Sequence, residues 1–158
     1  MTTSITTFLT FDTQADEAAT LYTSLFGGTI KETMRYPAGG PKPEGAVLTV
    51  TFELFGQTYI ALNGGPSFTF SHGFSLIVQV DTQAEIDRLW RKLTENGGKE
   101  VQCGWLVDKF GVSWQIVPKQ LGGMLSDKDK AKSGRAMQAM MGMQKLDLAK
   151  LQAAFDGE

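Results

Sequence analysis

The chain has 158 residues, with 15 Lys and Arg against 17 Asp and Glu, one His and one Cys. This length can bury a proper core as one domain. The near-neutral balance, without a basic stripe, argues against a nucleic-acid partner, and a lone cysteine excludes an intrachain disulfide and fits a reducing compartment. No apolar run approaches the ~20 residues of a membrane span, and the start Met-Thr-Thr-Ser lacks the charged and apolar regions of a signal peptide. The expectation is a cytoplasmic protein with no membrane partner.

In chain order, Ile5 to Phe11 is apolar and β-rich and reads as a strand. Asp12-Thr13-Gln14-Ala15 follows, and Asp12 or Thr13 suits a helix N-cap because a short side-chain oxygen can accept from first-turn N–H groups. Ala15, Ala18, Leu21, Tyr22, Leu25 and Phe26 recur at helical spacing, and Gly27-Gly28 supplies the stop. The pattern then changes to period two: Thr29 to Arg35, a loop or lid at Pro37 to Pro43, Ala46 to Leu54, and Thr58 to Leu62, the last two joined by a hairpin at Phe55-Gly56-Gln57.

The same phrase then returns. Phe74 to Val80 reads as a strand, Asp81-Thr82-Gln83-Ala84 repeats the helix start, Ile86, Leu89, Trp90 and Leu93 repeat the helical stripe, and Gly97-Gly98 repeats the stop. Shorter strands follow at Glu100 to Gln102, Trp105 to Asp108 and Val112 to Val117, with a turn at Lys109-Phe110-Gly111. The fold class is therefore α+β, a single domain over 1–158 made of two β-α-β-β-β modules, 1–66 and 70–118, and a helical tail, 119–158. One helix covers one face of each four-stranded sheet, which leaves the other face for the partner module or a ligand.

The tail shows a capped start at Ser126-Asp127-Lys128, a stripe of Ala131, Met137, Met140, Met141 and Met143, and a second helix around Leu148, Leu151, Gln152 and Phe155 after Asp147. Short amphipathic helices are marginal alone, so the expectation is packing across a homodimer. The glycine pairs end helices rather than begin them, so no phosphate loop and no cofactor is expected.

The duplicated unit resembles the vicinal oxygen chelate superfamily, which includes glyoxalase I, extradiol dioxygenases and bleomycin-resistance proteins. Three stretches, Leu62-Asn63-Gly64-Gly65-Pro66, Cys103 to Gly111, and Val112 to Pro118, resemble its PhnB-like group. Many members of that group bear the label 3-demethylubiquinone-9 3-methyltransferase. The resemblance implies a ligand in a cup between modules and, in metal-using relatives, one His, Glu or Gln ligand from the first and last strand of each module. Aligned on the Asp, helix and Gly landmarks, those positions hold Thr7, Ala61, Ser75 and Gln115. One neutral amide and two hydroxyls cannot hold Zn²⁺, Ni²⁺ or Fe²⁺ against water, so no catalytic metal is expected.

His72, the only histidine, reads as a solvated loop residue more readily than as a ligand or general base. Cys103 has only Lys99 and Lys109 nearby to favour a thiolate and reads as packed and inert; with Trp105 and Asp108 it is a candidate cup or rim residue by resemblance. Period-two parity, with Gln115 placed inward, also sends Ser113 and Val117 into the cup, and the same rule points Thr7, Leu9, Phe11, Tyr59, Ala61, Asn63, Ser75, Ile77 and Gln79 inward. The resulting lining, apolar with a few neutral polar groups, suits a small, weakly charged or planar ligand.

Three readings follow. One is a metal-independent lyase, isomerase or transferase with His72, Gln115, Tyr59, Ser75 and Cys103 as polar candidates; another is a binder that sequesters a small compound; the third is a structural or interaction role through the tail. Missing acids and bases at the ligand positions lean the sequence toward binding. The methyltransferase label has no glycine-rich strand-to-helix turn behind it, and a metal enzyme would need non-standard ligands.

Overall fold

The computed structural model describes residues 3–158; Met1 and Thr2, which open the Met-Thr-Thr-Ser start and the first module, lie outside the described residues. The chain divides into two compact units, one ending at Thr69 and the other spanning Phe70–Glu158.

The first unit runs β1 (Thr7–Phe11), α1 (Ala15–Phe26), β2 (Thr29–Arg35), β3 (Val47–Leu54) and β4 (Gln57–Asn63). Its sheet has the order β1-β4-β3-β2, with β1 parallel to β4 and the other pairs antiparallel. Neither Asp12 nor Thr13 caps α1, which corrects the expectation. Gln14 holds the cap position without a side-chain bond, and Asn63 at the end of β4 reaches across to accept from the Ala15 N–H at 2.8 Å. Its Nδ2 donates to the Val47 carbonyl at 3.1 Å, so one carboxamide ties β3, β4 and α1 together. The helix stops at Gly27, whose φ of 67° lies where only glycine is unstrained. The β3–β4 hairpin turns on Phe55 and Gly56, both at positive φ (49° and 78°), as a two-residue turn matched to strand twist requires. The outer strand β2 is exposed along its whole length, and its register with β3 shifts between Ile30 and Glu32 and again between Met34 and Arg35.

The second unit repeats the plan with β5 (Leu76–Val80), α2 (Gln83–Thr94), β6 (Lys99–Glu100), β7 (Trp105–Val107) and β8 (Ser113–Pro118), in the order β5-β8-β7-β6. Here the cap is Thr82: its hydroxyl accepts from the Glu85 N–H, and the Glu85 carboxylate accepts from the Thr82 N–H. Ile86, Leu89, Trp90 and Leu93 of α2 are buried, as are Leu106, Trp114 and Ile116 of the sheet, and the Trp90 indole donates to Glu100 at 2.6 Å. A single aliphatic side chain so buried contributes about 1.5–3 kcal/mol.

Helices α3 (Gln120–Leu125), α4 (Lys130–Met141) and α5 (Leu148–Asp156) make up the tail. The cap of α4 is Asp129 rather than Ser126-Asp127, and α5 starts at Asp147 as the sequence suggests. Val117, Leu121, Met124, Ala136, Leu146 and Leu151 form one buried cluster, with Met140, Met143 and Phe155 packed on it. The inner half of the methionine stripe is therefore filled by this chain's own residues, whereas Met137 and Met141 are exposed. The Cys103 and Gly104 N–H groups donate to the carbonyls of Met143 and Gln144, and Gln83 of α2 bonds both the Leu146 carbonyl and the Leu148 N–H.

Lys145 adds a charge contact with Asp87 of α2 at 2.6 Å. Hydrogen bonds from Lys145 first, and then from Gln83, hold the Asp87 carboxyl below its ordinary 3.8. Because the folded value is depressed, the contribution is complete above 3.8 and disappears as pH falls through the lower folded value. Asp87→Asn should therefore cost less than about 1 kcal/mol at neutral pH, the site being solvent-screened, and flatten the acid limb of the stability curve. Parallel acid limbs in urea titrations of the two proteins would refute this.

Candidate functional site

Which face of each sheet stays open follows from strand pairing. In the first unit, Thr7, Leu9 and Phe11 stand beside Tyr59, Ala61 and Asn63, and Tyr59 and Ala61 stand opposite Phe52 and Val50. Phe52 touches Tyr22 of α1 with ring centroids 6.2 Å apart, and Leu9, Phe11, Val50, Phe52, Tyr59 and Ala61 are all buried. This is the helix-covered face, so the expectation that Thr7, Leu9, Phe11, Tyr59, Ala61 and Asn63 point away from the helix into a cup is corrected. The uncovered face of β1 and β4 carries Phe8, which is 53% exposed, together with Thr10, Ile60 and Leu62.

The cause is a slip of one residue. The repeated phrase equates Phe11 with Val80, and Leu76 pairs with Trp114 just as Thr7 pairs with Tyr59. Ser75 and Gln115 therefore correspond to Thr6 and Ile60 rather than to Thr7 and Ala61. With a period of two, a single-residue shift exchanges the faces.

Tyr59 consequently belongs to the core. Its ring stacks on Phe52 at 5.4 Å, its hydroxyl donates to Gln57, and burial pushes its phenol above the ordinary value of 10.0. A phenol shifted that way stays protonated at neutral pH and is a poor base.

In the second unit the parity matches the expectation. Leu76, Val78, Trp114 and Ile116 lie toward α2, and Ser75, Ile77, Trp105, Ser113 and Gln115 share the other face. Gln115 is central and half-buried, with Ile77 as its β5 partner and Trp105 as its β7 partner. Its Nε2 donates to the Ser75 hydroxyl oxygen at 2.9 Å. At one end of the face, Ser113 is buried with the His72 ring at 3.5 Å. At the other, Val117 is sealed by the tail cluster. Of the sequence candidates the structure thus brings together His72, Ser75, Ile77, Trp105, Ser113 and Gln115. Ser113 is only 2% exposed, so its hydroxyl is poorly placed to attack a substrate, and it lies against the His72 ring.

Two motif residues have structural work. Asp108 is 2% exposed and sits beneath the β7–β8 turn. One carboxylate oxygen accepts from the Phe110 and Val112 N–H groups, and the other accepts from the Trp114 indole at 2.9 Å. It is a turn organiser, not a rim group. Cys103 occupies the left-handed region (φ 61°) in the turn held by the tail carbonyls, half-buried.

One concavity was not anticipated. A cavity of about 310 Å³ in the first unit opens beside the start of α1, lined by Asp12, Asp16, Tyr36, Lys42 and Asn63 among others. Its sequence signal was the Pro/Gly loop after Tyr36, whose side chains carry no periodicity to place them.

Among the described residues, no three His, Cys, Asp or Glu side chains converge. The corrected equivalents, Thr6, Ile60, Ser75 and Gln115, supply no carboxylate or imidazole, so these residues do not fit a catalytic divalent cation. Nor do they fit a Rossmann-type S-adenosylmethionine site. The strand-to-helix turns, Asp12-Thr13-Gln14 and Asp81-Thr82, contain no glycine, and both helix starts are already engaged, by Asn63 and by the Thr82–Glu85 pair. No helix is long and apolar enough to cross a membrane.

Comparison with known proteins gives a consistent picture. A family described as 3-demethylubiquinone-9 3-methyltransferase matches residues 3–117. A PhnB protein of Bacillus cereus carrying the same label is 39% identical, over 73% of this chain and 99% of that one, with a TM-score of 0.67. A protein of Pseudomonas aeruginosa is 23% identical over 74% and 98% of the two chains (TM-score 0.60), and the fosfomycin resistance protein FosX of Listeria monocytogenes is 11% identical over 77% and 97% (TM-score 0.52); these two share the fold. No curated protein gives a significant match.

Proposed function

The chain belongs to the 3-demethylubiquinone-9 3-methyltransferase family, the PhnB-like group of the vicinal oxygen chelate superfamily, and from that premise we propose that it binds a small molecule without a catalytic metal, on the uncovered face of the second unit. The observation that supports this is the Ser75–Gln115 hydrogen bond, in which a hydroxyl and a carboxamide satisfy each other where the superfamily's metal users place His, Glu or Gln ligands. A hydroxyl and a carboxamide flanked by Ile77 and Trp105 make a neutral, partly apolar surface of the kind that orients a small ligand through a few polar contacts.

Metal analysis of the purified protein, combined with a thermal-shift screen of small metabolites and antibiotics, tests the proposal. The expected result is substoichiometric zinc, nickel, iron and manganese, and a selective stabiliser, which at a hundred times its Kd adds about 2.7 kcal/mol. Stoichiometric, tightly held metal would overturn it.

A second reading is favoured by one contact, the approach of His72 to Ser113. On this reading the protein is a metal-independent enzyme in which His72 moves a proton at the mouth of the same face. His72→Gln should then abolish turnover while leaving ligand affinity within about threefold; unchanged turnover would refute it.

A further inference from the structure

We infer that the ligand of this face presents an uncharged, planar edge with an adjacent hydrogen-bond donor and acceptor, the chemistry of a lactam or imide; this rests on the reading that the Gln115 face is the binding surface. Three polar groups meet there with bonding capacity to spare. Gln115 donates through Nε2 to Ser75, and its Oε1 has no partner among the described residues. The Ser75 hydroxyl, having accepted that bond, still has its own proton to donate. Trp105, directly opposite Gln115 on β7, is half-buried, and its indole N–H has no partner among the described residues. The face thus offers one acceptor on β8, a donor hydrogen-bonded to the same carboxamide at Ser75, and a second donor on the neighbouring strand β7.

The apolar surroundings fix the rest of the ligand. Ile77, 56% exposed, stands on one side of Gln115, and the indole of Trp105 supplies a flat surface on the other. Charge is absent from the centre. The strand residues sharing this face are Ile77, Gln79, Trp105, Val107, Ser113, Gln115 and Val117; Lys99 lies at the far edge of β6, two strands from Gln115, and His72 sits at one end, against Ser113 rather than Gln115. A carboxylate or phosphate set down on Gln115 would lose its hydration with no cation in contact, a strongly unfavourable exchange. A neutral N–H/C=O edge satisfies Gln115 Oε1 with its donor, and Ser75 or Trp105 with its acceptor.

The test uses the full-length protein and four probes of one shape: 2-quinolinone, N-methyl-2-quinolinone, quinoline and quinoline-2-carboxylate. Binding is read from the Trp105 indole and Gln115 carboxamide resonances in nitrogen–proton correlation spectra. The expected result is that 2-quinolinone binds at least about tenfold more tightly than its N-methyl and carboxylate analogues, a tenfold step being one hydrogen bond's worth. Gln115→Leu should remove that preference and leave the affinity for quinoline unchanged, and Ser75→Ala should halve the preference or more. Equal binding of 2-quinolinone and its N-methyl analogue, or tighter binding of the carboxylate, would overturn the lactam-edge inference while leaving the binding face intact. Failure of all four probes to move either resonance at millimolar concentration would overturn the binding face together with the inference.

Discussion

Asp108→Ala is expected to destabilise the protein by about 3–5 kcal/mol, because it removes the carboxylate that accepts from the buried Val112 N–H and Trp114 indole N–H and from the half-buried Phe110 N–H. In a chain of this size that corresponds to a drop in Tm on the order of 10 °C. Asp108→Asn keeps one carbonyl acceptor and should cost roughly 1–3 kcal/mol. Pairing each change with Trp114→Phe separates the indole contact from the turn, since the cost of Asp108→Ala should shrink once the indole donor is gone. A loss below 1 kcal/mol for Asp108→Ala in urea titrations would mean that the carboxylate does not organise the turn.

Leu146→Ala should cost about 2–5 kcal/mol. Leu146 is fully buried in the tail cluster and lies against Gly104, where an added Cβ would meet its Cδ1 at 2.9 Å. The same substitution loosens the segment whose carbonyls hold the Cys103 and Gly104 N–H groups, so these two amides should exchange with solvent faster than those of α2. Unchanged protection at Cys103 and Gly104 would show that Leu146 packing does not hold the tail segment against the turn before β7. A stability loss that depends on protein concentration would place the leucine at a contact between copies instead.

The frame was legible because it is local. Alternating strands, the Asp-Thr-Gln-Ala phrase and the glycine pairs each act within a few residues, and their recurrence identified the duplication before any contact was known; Gly27 does stop α1, whereas α2 already ends at Thr94 with Glu95 as its cap, ahead of Gly97-Gly98. The Thr82–Glu85 box is likewise written in adjacent residues. What escaped was long-range. Asn63 caps α1 from 48 residues away, which no local pattern announces, and Asp12 looked like the cap because its neighbourhood resembles that of Asp81. The facing of β1 and β4 was lost to a count off by one, an error that period-two structure magnifies into reversal. In the second unit the same rule, anchored on Gln115, placed Ser75, Ile77 and Ser113 together. Asp108 was singled out by resemblance, but its role became clear only when Trp114, six residues on, was seen turning its indole back toward it.

The two register shifts in β2 bear on how copies of this protein avoid one another. A fully exposed outer strand of seven residues offers a row of free peptide groups, onto which a neighbouring molecule could add a strand of its own. Interruptions at Ile30/Glu32 and Met34/Arg35 break that row into short segments, and Lys31, Glu32 and Arg35 place charge along it. Irregularity and charge together make this rim a poor template for strand addition by a neighbouring copy.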